Sequence, residues 1–298
     1  MKLLLFGKTG QVARRLYNAL LPIGEVICLG REDADFNDFD QLRSSIRLHK
    51  PGIIINAVAY TAVDEAESKK ELCFLINTEA VKVIADEAEK LNAWLIHYSS
   101  DYVFDGKATE PYSEDKVPNP LSIYGKSKAD ADQYIVENCS KHTILRTSAV
   151  FDSYGKNFPK TILKLAKKNN VLKIVSDQIS VPTSACLIAN VTAFILYKML
   201  SSSILPNGIY NIASSEETSW YDFAKYLVKV AYDRGFELRC TPEDVLPISS
   251  AEYVLPAKRP TFSKLDTSKL CKEFNLVMPS WKLYVPSLLE DLKSAGEL

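Results

Sequence analysis

The chain has 298 residues, with 36 basic and 37 acidic side chains and a formal net charge of −1. At 47% hydrophobic and 24% charged it has ordinary globular proportions and enough length for one large domain or two smaller ones. Near-neutral charge speaks against a general nucleic-acid binder, which carries a basic excess, and no apolar run approaches the roughly 18 residues of a membrane span. Glycine is scarce, eleven residues in all, where average usage gives roughly twenty. Two of the eleven, Gly7 and Gly10, stand in the first ten positions.

The opening run Met1–Phe6 looks like the apolar part of a signal peptide, but it is too short, and Gly7-Lys8-Thr9-Gly10 interrupts it. Lys2–Phe6 instead reads as a buried strand. Gln11–Leu21 follows with apolar residues at Val12, Leu16, Ala19 and Leu20, a helical spacing. The alternation continues: a strand at Glu25–Leu29, a helix at Phe39–Leu48, a strand at Gly52–Ala59, a long helix at Glu71–Leu91 and a strand at Ala93–Ser99. A helix over Ser122–Glu137 and a fifth strand at His142–Val150 complete the first half. Apolar strands alternating with helices predict an α/β fold with a doubly wound parallel sheet covered on both faces.

After residue 150 prolines recur and the pattern loosens. Helices are expected at Phe158–Lys168, Ala185–Leu200, Ser219–Tyr232 and Trp281–Leu292; Pro286 lies inside the last, so that helix kinks or starts late. The reading is a dinucleotide-binding domain over 1–150. A smaller mixed α/β domain for substrate covers most of 151–298, with some segments returning to the first. The six cysteines form no C-x-x-C pair and do not cluster with the three histidines, the pattern of reduced thiols in a cytoplasmic protein without a zinc site.

The order strand, G-x-x-G-x-x-A, helix is what a dinucleotide site needs. The glycines let the backbone turn tightly beside a pyrophosphate, and the helix start offers free N–H groups and a positive dipole end. The bland alternative is a strand–turn–helix with glycine for the turn alone. Beyond strand 2, where the adenosine ribose is expected, stands Gly30-Arg31-Glu32-Asp33-Ala34-Asp35-Phe36. Arg31 pairs with a 2′-phosphate in one reading and is a solvated surface arginine in the other.

Three pieces converge on one chemistry. Ser99-Ser100-Asp101-Tyr102 ends strand 4, and Tyr124-Gly125-Lys126-Ser127-Lys128 follows on a helix. Tyr124 and Lys128, at i and i+4, share one helix face. An ammonium beside a phenol is expected to lower the tyrosine pKa from about 10 towards neutrality. Such a phenol donates its proton to a carbonyl oxygen as hydride reaches the carbon, and Ser100 is placed to hydrogen-bond the same oxygen. Alone, a Y-x-x-x-K pair on an amphipathic helix is more often a surface pair. The glycine loop and the strand-4 serine give it weight.

These residues resemble the extended short-chain dehydrogenase/reductase superfamily. GKTGQV at 7–12, NAVAYTAVDEAE at 56–67, SSDYVFDG at 99–106, NPLSIYGKSK at 119–128, RTSAVF at 146–151, DQISVPTSA at 177–185, GIYNIA at 208–213 and KRP at 258–260 are similar, within it, to the dTDP-4-dehydrorhamnose reductase family. The resemblance implies a Rossmann-like fold and NADPH, with NADH as the other possibility. It implies reduction of the 4-keto group of a dTDP-linked 4-dehydro-6-deoxy-L-mannose to dTDP-L-rhamnose. Gly7, Gly10, Gln11 and Val12 would wrap the pyrophosphate, Asp35 and Phe36 would lie by the adenine, and Ala57, Ala59, Tyr60 and Thr61 would line the cofactor. Ser100, Tyr124 and Lys128 would be catalytic, Lys128 also holding the nicotinamide ribose. Ser100 and Asp101 would face the sugar, and Arg259 would sit near the nucleotide diphosphate.

Three positions depart from the family pattern. Ser100 stands for a threonine and keeps the hydroxyl. Ala149 stands where the family carries a tryptophan that stacks on the substrate, so another nucleotide-linked keto-sugar stays open. Two of the acidic positions that hold Mg²⁺ between subunits in bacterial members are Arg15 and Cys186 here, and only Asp291 is acidic. Neither that metal nor a homodimer built on it is expected. A non-catalytic cofactor-binding regulatory subunit is the alternative of another class.

Overall fold

The computed structural model describes residues 1–201 and 205–297. Its first half runs β1 (Lys2–Phe6), α1 (Gln11–Leu20), β2 (Glu25–Leu29), α2 (Phe39–His49), β3 (Ile53–Asn56), α3 (Val63–Ala66), α4 (Lys70–Phe74), α5 (Ala80–Leu91), β4 (Trp94–Ser100), α6 (Ile123–Asn138) and β5 (His142–Thr147). The second half runs β6 (Val150–Phe151), α7 (Phe158–Lys168), β7 (Leu172–Val175), β8 (Ile179–Ser180), β9 (Thr183–Ser184), α8 (Ala185–Ser201) and β10 (Gly208–Asn211). It ends with β11 (Thr218–Ser219), α9 (Trp220–Asp233), β12 (Val245–Ile248), α10 (Ser268–Phe274) and α11 (Val285–Ser294).

Six strands form one parallel sheet in the order β10-β5-β4-β3-β1-β2. Winding reverses at β1, which pairs with β2 on one side and β3 on the other. This is the switch point beyond whose carboxyl edge ligands bind in open α/β sheets. The register makes that edge level, because Phe6 lies opposite both Leu29 and Asn56. Alternation along β1 feeds two cores. Leu3 and Leu5 pack with Ile53, Ile55, Ile96, Leu16 of α1 and Ile188 of α8. Leu4 and Phe6 pack with Ile54, Leu95, Leu42 of α2, Ile84 of α5 and Ile135 of α6. A third core joins Phe151, Ile162, Leu163, Phe223, Leu227, Trp281 and Leu289 across α7, α9 and α11. The chain past residue 150 thus builds its own core, and it also returns β10 to the sheet edge and α8 to the flank of α1.

Several expected elements differ in extent. Strand 3 ends at Asn56 rather than Ala59, because Asn56 Oδ1 accepts from the Val58 N–H at 3.0 Å and turns the chain. The helix expected over Glu71–Leu91 carries a π-helical turn at Leu75–Glu79 between α4 and α5. Strand 5 breaks at Ala149, whose φ of 43° is left-handed, and Val150–Phe151 pair instead with β9. Pro286 falls in the first turn of α11, where its missing N–H costs nothing, so the helix starts late. Among the described residues no helix is long and apolar enough to cross a membrane, and all six cysteines carry free thiols.

Candidate active site

The sheet edge opens into a cavity of about 280 Å³ whose wall includes Gln11, Thr61, Ser100, Asp101, Tyr124 and Ala149. Ser100 ends β4 and caps the turn that follows: its hydroxyl accepts from the Tyr102 N–H at 3.1 Å and donates to Asp101 Oδ1 at 3.0 Å. The Asp101 carboxyl is fully buried and pushed above the usual carboxylate range by that burial, while Ser263, Ser148 and Ser100 hydrogen bonds pull it back. Tyr124 sits in the first turn of α6, started by the Ser122 hydroxyl on the Gly125 N–H at 3.1 Å. Its phenol is hydrogen-bonded to Ser100 and its ring meets Tyr102 edge-on at 5.9 Å between centroids.

The expected lowering of the tyrosine pKa is not what the geometry gives. Burial pushes the Tyr124 phenol up to about 12, with Ser100 the one hydrogen bond opposing it. Lys128 is spent elsewhere: Nζ donates to the Tyr98 carbonyl at 2.6 Å and lies 2.9 Å from His97 Nε2. Burial in turn pushes Lys128 down to about 8, while Asp132 and Cys73 raise it. The i, i+4 spacing set both side chains on one helix face, but not where the ammonium points. A phenol near 12 stays protonated at neutral pH, the form a proton donor needs.

Sequence reading missed the residues that hold this arrangement. His97 and Asn56 are wholly buried and lie opposite one another on β4 and β3, with His97 Nδ1 3.2 Å from Asn56 Nδ2. Asn77, in the π turn, accepts from the Tyr60 N–H at 2.7 Å and donates to Ser127 Oγ at 3.0 Å. Thr78 donates to the Ser127 carbonyl at 2.8 Å. The π turn therefore ties the loop after β3 to α6 beside Lys128, in keeping with the frequent placement of such turns at functional sites. Lys156, Gln178 and Trp220 also line the cavity, all from the second half.

α6 can approach the strand-4 turn because position 125 has no side chain. A Cβ at Gly125 would collide with the Tyr102 carbonyl oxygen and crowd Pro120. Gly125→Ala is expected to lower stability by about 1–3 kcal/mol, the usual scale of overpacking, and to reduce kcat by shifting Tyr124. Thermal unfolding and steady-state kinetics check both, and a wild-type melting temperature would contradict the close packing.

A second cavity, about 400 Å³, gathers Gly7, Gly10, Arg31, Asp35, Phe36, Ala57, Ala59 and Tyr60. It suits a dinucleotide. Gly7 has φ 102°, and a Cβ there would press on the Ala57 carbonyl. α1 begins at Gly10 with no side-chain cap and no acidic residue in its first turn, so its leading N–H groups and dipole are free for an anion. Arg31 is exposed and lies 3.3 Å from Asp35.

Other expected residues fall outside both walls. Val12 packs on the core beneath the sheet. Lys128 is buried and lines neither cavity. Arg259 ties to Asp64 at 2.7 Å and hydrogen-bonds Tyr102, while its neighbour Pro260 lines the first cavity. Arg15, Cys186 and Asp291 do meet, around a cavity of about 150 Å³. There the Arg15 guanidinium bridges Asp152 and Asp291, each at 2.7 Å. A Mg²⁺ ion does not fit this place, since a fixed planar cation already neutralises both carboxylates.

Residues 1–294 match the family described as RmlD substrate binding domain. The dTDP-4-dehydrorhamnose reductase of Salmonella typhimurium is 39% identical over 296 residues, 98% of either chain. The crystal structure of dTDP-4-dehydrorhamnose reductase from Bacillus anthracis in complex with NADP superposes with a TM-score of 0.86 at 29% identity, covering 97% of this chain and 99% of that one. A Clostridium acetobutylicum structure described as a dTDP-4-dehydrorhamnose reductase gives 0.86 at 31% identity, over 98% and 100% of the two chains. The parallel sheet wound both ways from β1, the two cavities at its carboxyl edge and the match over nearly all of its length place this chain in the dTDP-4-dehydrorhamnose reductase family, among the NAD(P)H-dependent oxidoreductases.

Proposed function

We propose that the chain reduces the 4-keto group of dTDP-4-dehydrorhamnose to give dTDP-L-rhamnose, with Tyr124 as proton donor, in the cytoplasm. The carrying observation is the shared wall of one cavity: Ser100, Asp101 and the protonated Tyr124 stand beside Gln11, from the helix that follows the glycine loop. NADPH, when bound, supplies the hydride. Gly7, Gly10 and the start of α1 hold its pyrophosphate, Phe36 and Asp35 flank its adenine, and Arg31 is the partner for its 2′-phosphate. Ser100 hydrogen-bonds the ketone oxygen, and Tyr124 delivers the proton as charge develops there. Residues 1–150 hold mainly the cofactor and 151–298 mainly the sugar nucleotide, because the opposite wall comes from Lys156, Gln178 and Trp220.

One observation favours a second sugar or base. Ala149 presents only a methyl group to the cavity, and the aromatic side chain of Trp220 is part of its wall. The test is loss of NADPH absorbance with dTDP-4-dehydrorhamnose, compared with UDP- and GDP-linked keto-sugars. The expected result is turnover highest with the dTDP sugar. A higher rate with another nucleotide would move the substrate assignment, and cofactor binding without turnover of any keto-sugar would favour a non-catalytic subunit.

A further inference from the structure

Four groups form a chain whose three side chains, Asn56, His97 and Lys128, are buried. Asn56 Oδ1 faces the Val58 N–H at 3.0 Å and Asn56 Nδ2 faces His97 Nδ1 at 3.2 Å. His97 Nε2 faces Lys128 Nζ at 2.9 Å. Asn56 and His97 are wholly buried and Lys128 is 1% exposed. The hydrogen positions follow in sequence from one fixed donor. A backbone N–H only donates, so the Asn56 atom against Val58 is the oxygen, and the NH₂ group faces the ring. An NH₂ group donates, so Nδ1 accepts, and the neutral ring carries its proton on Nε2. That Nε2–H points at Lys128 Nζ. An ammonium has three donors and no acceptor, whereas the neutral amine has the lone pair this proton needs.

We propose that Asn56 and His97 form a tautomer lock: the Nε2–H of His97 holds Lys128 by its neutral amine, so that Lys128 is a titrating positioning residue rather than a permanent cation. This deepens the reading of the site as a keto-sugar reductase and rests on it only for its kinetic consequence. The charged and titratable groups around Lys128 include Asp132 on its own helix, Cys73 on α4 and His97 on β4. Burial acts in the same direction as the lock: it holds His97 well below the usual histidine range and Lys128 near 8. The Tyr98 carbonyl accepts one amine N–H in either state, so the lysine stays in place as its charge changes. When Lys128 carries its proton, its charge favours the phenolate that Tyr124 leaves after protonating the ketone. Reduction therefore slows as pH rises through the lysine pKa, and the lock sets where that alkaline limb falls.

Asn56→Asp reverses the lock at nearly constant volume. A carboxylate accepts from both the Val58 N–H and the ring, moving the ring proton to Nδ1 and turning Nε2 into an acceptor for an ammonium. His97→Gln removes the ring and offers Lys128 an amide oxygen. Both are expected to move the alkaline limb of kcat upward by about one pH unit, the scale on which one charge or hydrogen bond shifts a pKa, with little change in KM for NADPH.

The tautomer itself is read without substrate. The chain has only three histidines, His49, His97 and His142, so ring-¹⁵N NMR of histidine-labelled protein, assigned by the signal lost in His97→Gln, reports it. The expected result is an Nε2–H ring in the wild type and Nδ1–H in Asn56→Asp. An Nδ1–H wild-type ring, or an unmoved limb in both folded variants, would overturn the lock. If Asn56→Asp does not fold, the wild-type ring and the limb of His97→Gln decide alone. If no keto-sugar is reduced, the functional reading fails while the NMR result still judges the lock.

Discussion

Tyr124→Phe is expected to lower kcat for keto-sugar reduction by about 10²–10⁴-fold, the contribution of a positioned proton donor, with KM almost unchanged. The variant keeps the ring and loses one oxygen. Its edge-on packing against Tyr102 therefore survives, and a thermal melt should show a fold close to wild type. Ser100 remains able to hydrogen-bond the ketone oxygen, but its hydroxyl is shared between Asp101 and the Tyr102 N–H and is a far weaker acid than the phenol. Tyr102 is no substitute, because its phenol is hydrogen-bonded to Arg259. Burial also raises the Tyr102 phenol, and the nearby Asp101 charge raises it further. Retention of wild-type turnover in the phenylalanine variant would remove Tyr124 from its role as proton donor.

The elements that place Tyr124 were largely legible in the sequence. Leu3–Phe6, Ile53–Ile55 and Leu95–Ile96 are apolar without alternation, because both faces of a parallel sheet are covered, and Gly7 and Gly10 mark the turn after the first strand. The break at Ala149 and the π turn at Leu75–Glu79 were not legible, since tertiary hydrogen bonds from Asn77 and Thr78 decide the latter and local propensity does not. The pairing of β10 with β5 was likewise hidden, being set by contact between segments some sixty residues apart along the chain. Asn56 and His97 did leave a signal: each is the first polar residue after an apolar run, Ile53–Ile55 and Trp94–Ile96. Reading it required the register that sets them opposite one another. The spacing of Tyr124 and Lys128 sets a shared helix face, but not the electrostatic consequence, because burial of the phenol outweighs the neighbouring charge. Trp220, Lys156 and Gln178 come from the irregular half, where no periodic pattern points to a common wall.

Arg146→Met should cost about 3–5 kcal/mol of stability, as the loss of one partner from a buried ion pair does. Arg146 and Asp132 are each 2% exposed, joined by Arg146 Nε to Asp132 Oδ2 at 3.0 Å. The guanidinium also reaches the Glu114 carbonyl at 3.4 Å and lies over the Phe104 ring at 5.3 Å. Asp132 Oδ2 accepts from Ser99 Oγ at 2.9 Å as well, but Asp132 Oδ1 has no hydrogen-bond partner. Methionine replaces the stem of the arginine and not its charge, leaving a buried carboxylate with one hydroxyl to solvate it. The double variant Arg146→Met/Asp132→Asn removes that stranded charge, so it is expected to be more stable than Arg146→Met alone and to lose less than the two single changes added together. Urea unfolding of the four proteins measures the coupling, and additive losses would show that the pair contributes only its separate packing. The effect reaches the site too. Asp132 raises the Lys128 pKa, and without Arg146 its charge acts on the lysine uncompensated. In Arg146→Met the alkaline limb of kcat should therefore shift upward, in the same direction as the release of the Asn56–His97 lock, and it should return towards the wild-type position when Asp132 is made neutral.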